Sequence, residues 1–493
     1  MKYKSTRGRS AEVNAAEAII KGIAPDGGLF VPCEVPHVTA DFIEGLVPLT
    51  YNERAARVLS LFLADYTADE ISGCIERAYG GGKFDTAKVA PIRDVGDSTM
   101  LELWHGPTSA FKDMALQLLP QLMSVALKKT GEKREILILV ATSGDTGKAA
   151  LAGFADAEQI KIMVFYPDGG VSPIQRLQMV TQAGGNVSVV AVRGNFDDAQ
   201  SGVKKIFGDK PFNDKLDAAN VKLSSANSIN WGRLVPQIVY YFSAYADMIG
   251  AGKIKNGDEV NYTVPTGNFG NILAGYYAKR MGLPVGRLVC ASNKNNVLTD
   301  FIRTGKYDKN REFYKTISPS MDILISSNLE RLLYHVTDAD TVRGYMDALA
   351  KAGTYTVADD VLAKISETFW AGCDDDDATK AIIKAVYDDA GYVLDTHTAV
   401  AWGVAHAYMN ETHDTRPMVV VSTASPYKFS ASVLDALHVD VKDDDPFTAL
   451  DALEKKNSVK APKGLSSLRG AQVLHDKVCD KDAMEDMVFD FVK

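Results

Sequence analysis

The chain of 493 residues is poor in the residues from which disulfide frameworks and metal sites are built. Its eight histidines include no His-Glu-x-x-His motif, and its few cysteines are widely scattered with no Cys-x-x-Cys pair. The five cysteines are Cys33, Cys74, Cys290, Cys373 and Cys479. An odd count without short spacings supports neither a disulfide framework nor a structural zinc site. We therefore expect no metal site.

Long apolar runs and long basic runs are also missing. The apolar run from Ile136 to Ala141 is far shorter than the ~20 residues that span a bilayer, and no apolar core follows the opening Met-Lys-Tyr-Lys. With 54 basic against 63 acidic side chains the net charge is −9, and no Lys/Arg block could follow a nucleic-acid backbone. These absences argue against a membrane or nucleic-acid partner. We expect a cytoplasmic protein that acts on a small molecule.

The chain does contain enough apolar residues for large cores, at 46% of its composition, and its length suggests two or three domains. Residues 1–95 show helical periodicity and predict an N-terminal domain. From Ser98 onwards, short apolar strands alternate with amphipathic helices, which predicts open parallel sheets with ligands beyond the C-terminal strand ends. We divide this part into a small α/β domain, residues 96–255, and a large α/β domain with C-terminal helices, residues 256–493.

Gly-Pro punctuation brings Lys112 into the first turn of an apolar helix within the stretch His-Gly-Pro-Thr-Ser-Ala-Phe-Lys-Asp-Met-Ala-Leu, residues 105–116. The apolar neighbours would desolvate an ammonium and lower its pKa towards the neutral, nucleophilic amine. Such an amine forms Schiff bases with carbonyl compounds, including the aldehyde of pyridoxal phosphate. The more common explanation of this stretch, taken alone, is a lysine that reaches the surface. We expect Pro120 to kink the helix and Gly131 to end it.

Two glycine-containing loops each follow an apolar strand and precede a helix. In the stretch 265–271 the backbone N–H groups and the positive end of the helix converge on one point, which is typical of an anion site, although a plain turn explains the loop alone. The stretch 142–147 follows the same logic. Neither loop is a nucleotide motif, because the first lacks the Gly-x-Gly-x-x-Gly spacing and the second has Thr142 and Ala149 where a P-loop needs Gly and Ser or Thr.

The segment His-Gly-Pro-Thr-x-x-Phe-Lys-Asp resembles the Schiff-base segment of threonine synthases, which are pyridoxal phosphate enzymes of fold type II. Further stretches follow in that family's order, namely Ala-Thr-Ser-Gly-Asp-Thr-Gly at 141–147, Pro-Thr-Gly-Asn-Phe-Gly-Asn at 265–271 and Ser-Thr-Ala-Ser-Pro at 422–426. The resemblance implies open, mostly parallel sheets flanked by helices, with Lys112 as the catalytic and cofactor-bearing lysine. It implies that the ring nitrogen of pyridoxal phosphate faces Thr423. It also implies that the 5′-phosphate is bound by Gly267, Asn268, Phe269, Gly270 and Asn271.

The resemblance also implies conversion of O-phospho-L-homoserine and water to L-threonine and phosphate. The substrate-binding residues expected from it are Ser143, Asp145, Thr146, Asn230, Arg233 and Arg331. Either arginine could clamp a phosphate through two hydrogen bonds. The role of Asp145 stays open, because a carboxylate near two anions is a poor direct ligand. The alternatives are another fold type II lyase, such as a hydroxyamino-acid dehydratase or a phospholyase, and a catalytically silent binding homologue. We favour a monomer over a homodimer.

Overall fold

The computed structural model describes residues 1–441 and 445–493, which form α-helices and β-strands in alternation along most of the chain. The strands in this part of the chain are β1 (Tyr3–Ser5), β2 (Phe30–Pro32), β3 (Ile92–Val95), β4 (Ser98–Glu102), β5 (Glu135–Ala141), β6 (Ile160–Pro167), β7 (Val187–Arg193), β8 (Val221–Ser224), β9 (Val260–Pro265), β10 (Val285–Ser292), β11 (Lys306–Asp308), β12 (Thr354–Thr356), β13 (Phe369–Cys373), β14 (Met418–Ser422) and β15 (Lys477–Asp480).

Helices fill most of the intervals between the strands. They are α1 (Ala15–Lys21), α2 (Ala40–Glu44), α3 (Tyr51–Ser60), α4 (Ala68–Tyr79), α5 (Asp113–Leu116), α6 (Leu119–Thr130), α7 (Asp145–Phe154), α8 (Pro173–Val180), α9 (Phe196–Gly208), α10 (Lys210–Ala218), α11 (Trp231–Gly250), α12 (Gly270–Arg280), α13 (Val297–Thr304), α14 (Leu329–Val336), α15 (Ala339–Ala352), α16 (Asp359–Thr368), α17 (Asp376–Ala390), α18 (Thr396–Thr412), α19 (Ser430–Ala436), α20 (Pro446–Asn457), α21 (Lys463–Ser466) and α22 (Met484–Val492).

Two sheets organise the molecule. The larger sheet has the order β13-β10-β9-β14-β4-β3 and is parallel except for the antiparallel edge strand β3. The smaller sheet has the order β15-β7-β6-β5-β8 and is parallel throughout. In the smaller sheet, the central strand β5 is a continuous apolar run because helices cover both faces, and Ile136 to Val140 are fully buried. The predicted fold class, mostly parallel sheets flanked by helices, is confirmed.

Strand pairing does not follow the predicted boundaries at two places. The boundary after residue 95 falls inside the hairpin of β3 and β4, which pairs Ile92 with Leu101 and belongs to the larger sheet. The C-terminal strand β15 returns to the edge of the smaller sheet, beside β7. A division of the chain by sequence position therefore does not describe sheet membership, although the three-part division itself remains a prediction.

The segment after Lys112 differs from the expected single kinked helix. The short helix α5 ends at Leu116, and Pro120 lies in the first turn of a separate helix, α6. Proline is tolerated there because an N–H in the first turn has no acceptor within the helix. Gly131 ends α6 in the left-handed conformation (φ 68°), as expected for a C-terminal cap. None of the helices in the described part of the chain is both long and apolar enough to cross a membrane.

Candidate active site

Lys112 lies immediately before α5, with its amine directed between two other segments of the chain. Its Nζ donates a hydrogen bond to Ser320 Oγ at 3.2 Å and lies 3.6 Å from Asp145 Oδ2. Burial lowers the pKa of Lys112 to about 8, an effect that Asp145 opposes and that Lys428 and Arg233 reinforce. A substantial fraction of this amine is therefore neutral, and so nucleophilic, near physiological pH.

Backbone pairing brings Thr423 beside the lysine segment. Phe111 N donates to Thr423 O at 2.8 Å, and Ser425 N donates to Ser109 O at 3.1 Å. Ser109 adopts a left-handed conformation (φ 60°), which turns the chain from this pairing into α5. Asp113 closes the turn by accepting from both N and Oγ1 of Thr108, at 2.8 and 2.7 Å.

The loop before α7 is held by its first threonine. Thr142 Oγ1 accepts from the backbone N–H groups of Gly144 and Gly147, each at 2.9 Å. Gly144 has φ 135°, a conformation that side chains rarely allow. The predicted substrate residues Ser143 and Thr146 are half-buried on this loop.

Asp145, the first residue of α7, is buried and surrounded by donors. Its Oδ1 accepts from Lys428 Nζ at 2.7 Å and from Gln175 Nε2 at 3.0 Å, while Ser320 Oγ lies 3.4 Å from Oδ2. Burial alone would raise its pKa, but the ammonium groups of Lys428 and Lys112 hold the pKa well below its ordinary value. Both carboxylate oxygens already face protein donors, which does not favour Asp145 as a direct substrate ligand, and its role towards substrate stays open.

The loop 267–271 has free backbone N–H groups, although its carbonyl groups are bound. The carbonyl of Gly267 accepts from Ser326 Oγ at 2.8 Å, and that of Asn268, an exposed residue, accepts from Asn328 N at 3.1 Å. Phe269 is buried in a left-handed conformation (φ 62°) directly before Gly270 opens α12, without a side-chain cap. Among the residues that the structure describes, no acceptor is found for the N–H groups from 267 to 271.

Asn271 connects this loop to the long helix α11. Its Oδ1 accepts from the hydroxyl groups of Tyr240 and Tyr241, at 2.6 and 2.9 Å. Its Nδ2 is buried and has no hydrogen-bond partner in residues 1–441 and 445–493. A buried donor without an acceptor is rare in proteins and indicates a position for an external acceptor.

Arg233 is a buried cation without a counterion among the described residues. Nη1 donates to Ala226 O at 2.6 Å, whereas Nε has no partner and no carboxylate pairs with the guanidinium within the described part of the chain. Burial lowers the pKa of Arg233 to about 10. An external anion would satisfy this group, so the anion-binding role stays a prediction that the surroundings of Arg233 support.

Two other predicted substrate residues make contacts that stabilise the fold. Arg331 is fully buried and donates to Phe30 O at 3.0 Å and Ile229 O at 2.6 Å, and also to Asn328 Oδ1. Asn230 caps α11 through Gly232 N, and its Nδ2 donates to two backbone carbonyls at 3.0 Å. Both side chains bind the N-terminal segment to the rest of the molecule, which sequence motifs could not reveal. Their substrate-binding role stays a prediction, and these contacts do not favour it.

Sequence reasoning missed four residues of this cluster. Ser320 contacts Lys112, and its backbone N–H donates to His397 Nε2 at 3.1 Å, while His397 Nδ1 pairs with Asp395 Oδ1 at 3.0 Å. This arrangement is not a nucleophilic triad, because the histidine accepts from the serine backbone rather than from its hydroxyl. The fourth missed residue is Lys428, whose Nζ lies 2.7 Å from Asp145 Oδ1. The short apolar-flanked stretch Ser-Pro-Ser at 318–320 was the available signal, but nothing local connects it to Lys112.

Comparison with known proteins places this site in a family. Three family models match the chain: "Threonine synthase N terminus" over residues 2–79, "Pyridoxal-phosphate dependent enzyme" over residues 100–424, and "Threonine synthase, C-terminal" over residues 398–467. The threonine synthase of Pseudomonas aeruginosa is 41% identical over 88% of this chain and 90% of its own length. The chain belongs to the threonine synthase family. Its cofactor, as the resemblance implied, is pyridoxal phosphate.

Two further relatives show how far the similarity extends in structure and in chain length. The crystal structure of pyridoxal phosphate-bound threonine synthase from Brucella melitensis superposes with a TM-score of 0.88, at 39% identity and with complete coverage of both chains. The human protein "Threonine synthase-like 1" is 42% identical over 86% of this chain. The chain spans 58% of the length of that human relative.

Proposed function

We propose that this protein is a threonine synthase of threonine biosynthesis, a lyase that converts O-phospho-L-homoserine and water to L-threonine and phosphate. The observation that carries the proposal is the buried, partly neutral amine of Lys112, placed in one cluster with Asp145, Ser320 and the counterion-free Arg233. A phosphorylated amino acid would supply the anion that Arg233 lacks among the described residues.

The residues present fit pyridoxal phosphate. Lys112 would hold its aldehyde carbon covalently, and the free N–H groups of 267–271 together with the unpaired Asn271 Nδ2 would hold its phosphate. Asn268, Phe269 and Gly270 shape that loop, and Thr423, which follows β14 beside the lysine segment, would face the ring nitrogen. When bound, pyridoxal phosphate supplies an electron sink for carbanions next to the substrate's amino group.

The chain's own groups then bind the substrate and move its protons. Lys112 would take the proton from Cα and transfer protons at Cβ and Cγ. Asp145 and Ser320, which contact Lys112 Nζ in the protein, would orient the amine towards the substrate. Ser143 and Thr146 would bind the substrate carboxylate, and Arg233 would bind its phosphate through the donors that are free in the protein.

The decisive experiment follows oxygen and phosphate. Purified protein is given phosphohomoserine in heavy-oxygen water, and the threonine is analysed by mass spectrometry. Because water adds at Cβ after phosphate leaves Cγ, the label must appear on the threonine hydroxyl, with phosphate released in equal amount. Unphosphorylated homoserine should be inert, since hydroxide is a poor leaving group and Arg233 would stay without its anion.

The same assay separates the alternatives. A phospholyase would convert phosphohomoserine to a 2-oxo acid, ammonia and phosphate. A dehydratase would instead start from threonine or serine, supplied in a parallel reaction, and yield a 2-oxo acid and ammonia. A silent homologue would yield no product from any of these substrates. We also propose that the protein works as a monomer in the cytoplasm. The support for the compartment is that all five cysteines are free thiols.

A further inference from the structure

A second buried lysine lies in the active site without an assigned role. Lys428 follows Thr423 in the short turn Pro426–Phe429, and its side chain is 0% exposed. Its Nζ lies 2.7 Å from Asp145 Oδ1 and donates to Thr108 O at 3.0 Å. Lys428 thus joins three segments: the turn after β14, the start of α7, and the turn that leads to Lys112.

Asp145 divides its carboxylate between the two lysines. Oδ1 is held by Lys428 at ion-pair distance, and only Oδ2 faces Lys112, at the longer distance of 3.6 Å. A carboxylate paired with Lys112 alone would stabilise the ammonium form, which cannot attack an aldehyde or accept a proton. The geometry therefore leaves the reactive amine with the weaker share of the negative charge.

We propose that Lys428 is a positioning residue that neutralises Asp145 and thereby keeps the amine of Lys112 available for reaction. The proposal rests on the proposed function in that Lys112 is taken as the reactive amine. Lys428 favours the neutral form of Lys112 in two ways: it repels the Lys112 ammonium, and it competes with that ammonium for Asp145. The charged groups that face Lys112 are Asp145 from α7, Lys428 from the turn after β14 and Arg233 from α11.

Lys428 has two further charged neighbours. Asp113, whose pKa burial raises to about 6, is the first residue of α5, and Lys148, whose pKa burial lowers to about 8, lies on α7. Lys148 Nζ donates to Gln182 Oε1 at 2.6 Å rather than to Asp145, which makes it a matched control lysine.

The test measures the protonation of Lys112 without catalysis. The full-length chain, freed of cofactor, is labelled sparingly with acetic anhydride at a series of pH values, and acetylation of Lys112 is quantified by peptide mass spectrometry. In wild type the midpoint should lie at about 8. In Lys428→Met it should move upward, and a midpoint near pH 9 would leave roughly fivefold less neutral amine at pH 8. Lys148→Met should keep the wild-type midpoint.

An unmoved midpoint in Lys428→Met with a wild-type circular dichroism spectrum would overturn the proposal, as would an equal change in Lys148→Met. If Lys428→Met alone does not fold, the comparison uses Asp145→Asn and Asp145→Asn/Lys428→Met, which bury no unpaired carboxylate. The midpoint should fall below wild type in the first and rise again in the second. Identical midpoints in these two variants would contradict the coupling.

Labelling needs neither substrate nor turnover. A protein that made no threonine would refute the proposed function, while the Lys112 midpoints would still decide the role of Lys428.

Discussion

At the scale of single residues, Lys112 is set apart by burial beside a carboxylate that it shares with a second lysine. Lys112→Ala should abolish covalent binding of pyridoxal phosphate and all turnover, because no other amine is placed between Asp145 and Ser320 in the described residues. Borohydride reduction followed by peptide mapping measures this directly, with Lys148→Ala as the control that keeps the label. A pyridoxyl group found on another lysine of the wild-type protein would contradict the assignment.

Replacement by methionine should lower stability at one buried arginine and weaken substrate binding at the other. Arg331→Met leaves the carbonyls of Phe30 and Ile229 without their donor, and each such loss destabilises by roughly 1–3 kcal/mol, so the unfolding temperature should drop. Arg233→Met removes only one such bond and a cation without a counterion. We expect it to fold and to raise KM for phosphohomoserine at least tenfold. An unchanged KM in Arg233→Met would assign the substrate phosphate elsewhere.

Which site residues could be predicted follows from how local their signal is. Lys112, Asn271 and Thr423 stand in short motifs at strand or helix ends, and the fold brings such ends together. Ser320 and Lys428 approach Lys112 from more distant segments, and no spacing in the sequence reports that approach. Long side chains mislead in the other direction, because an arginine motif does not tell whether its donors meet a ligand or a backbone carbonyl.

At the scale of elements, the two glycines of the loop 267–271 differ in the space around them. A Cβ on Gly267 would lie 2.7 Å from the backbone oxygen of Ser320, whereas the nearest atom to a Cβ on Gly270 is 3.5 Å away. Gly267→Ala should therefore shift the loop that carries Ser320 and cost about 1–3 kcal/mol, while Gly270→Ala should stay within about 0.5 kcal/mol of wild type. Thermal unfolding of both variants measures this. Equal losses would show that the Ser320 contact is not limiting.

The strands illustrate what the sequence can and cannot show about elements. Strand β5 is apolar because both of its faces are buried, and it coincides with the strand-length apolar run that begins at Ile136. β15 has the sequence Lys-Val-Cys-Asp, with only Cys479 buried, because it lies at a sheet edge. An edge strand needs no apolar run, so only the pairing with β7 identifies it.

At the scale of the whole molecule, the C-terminal segment covers one edge and part of one face of the smaller sheet. Met484 and Val488 of α22 are buried against the cluster that contains Val203 and Ile206, and β15 covers the edge of β7. Truncation after residue 467 should lower the unfolding temperature and cause aggregation, because it exposes this apolar face and an unpaired strand edge. Light scattering on heating measures both effects. Leu474→Ser, which changes an exposed side chain of the same segment, is the control and should behave as wild type.

Acid stability should depend on one enclosed histidine. The ring of His335 lies between Tyr277 OH, 2.7 Å from Nε2, and the Arg280 guanidinium, 2.5 Å from Nδ1, and burial lowers its pKa to about 3. In the unfolded chain the imidazole becomes protonated near pH 6.5. Between pH 6.5 and 3 the unfolded state therefore binds more protons than the folded state, and the free energy of unfolding falls by about 1.4 kcal/mol per pH unit as the pH falls.

His335→Gln removes that proton uptake and should therefore lose less stability than wild type on acidification from pH 6.5 to 4.5. The raised pKa of Asp113 acts with the opposite sign but is present in both proteins, so it cancels in the comparison. Unfolding temperatures measured across this range give the two slopes, with the exposed His37→Gln as the control that should follow wild type. Parallel curves for wild type and His335→Gln would mean that the histidine becomes protonated without unfolding, and that the contact with Arg280 opens at low pH instead.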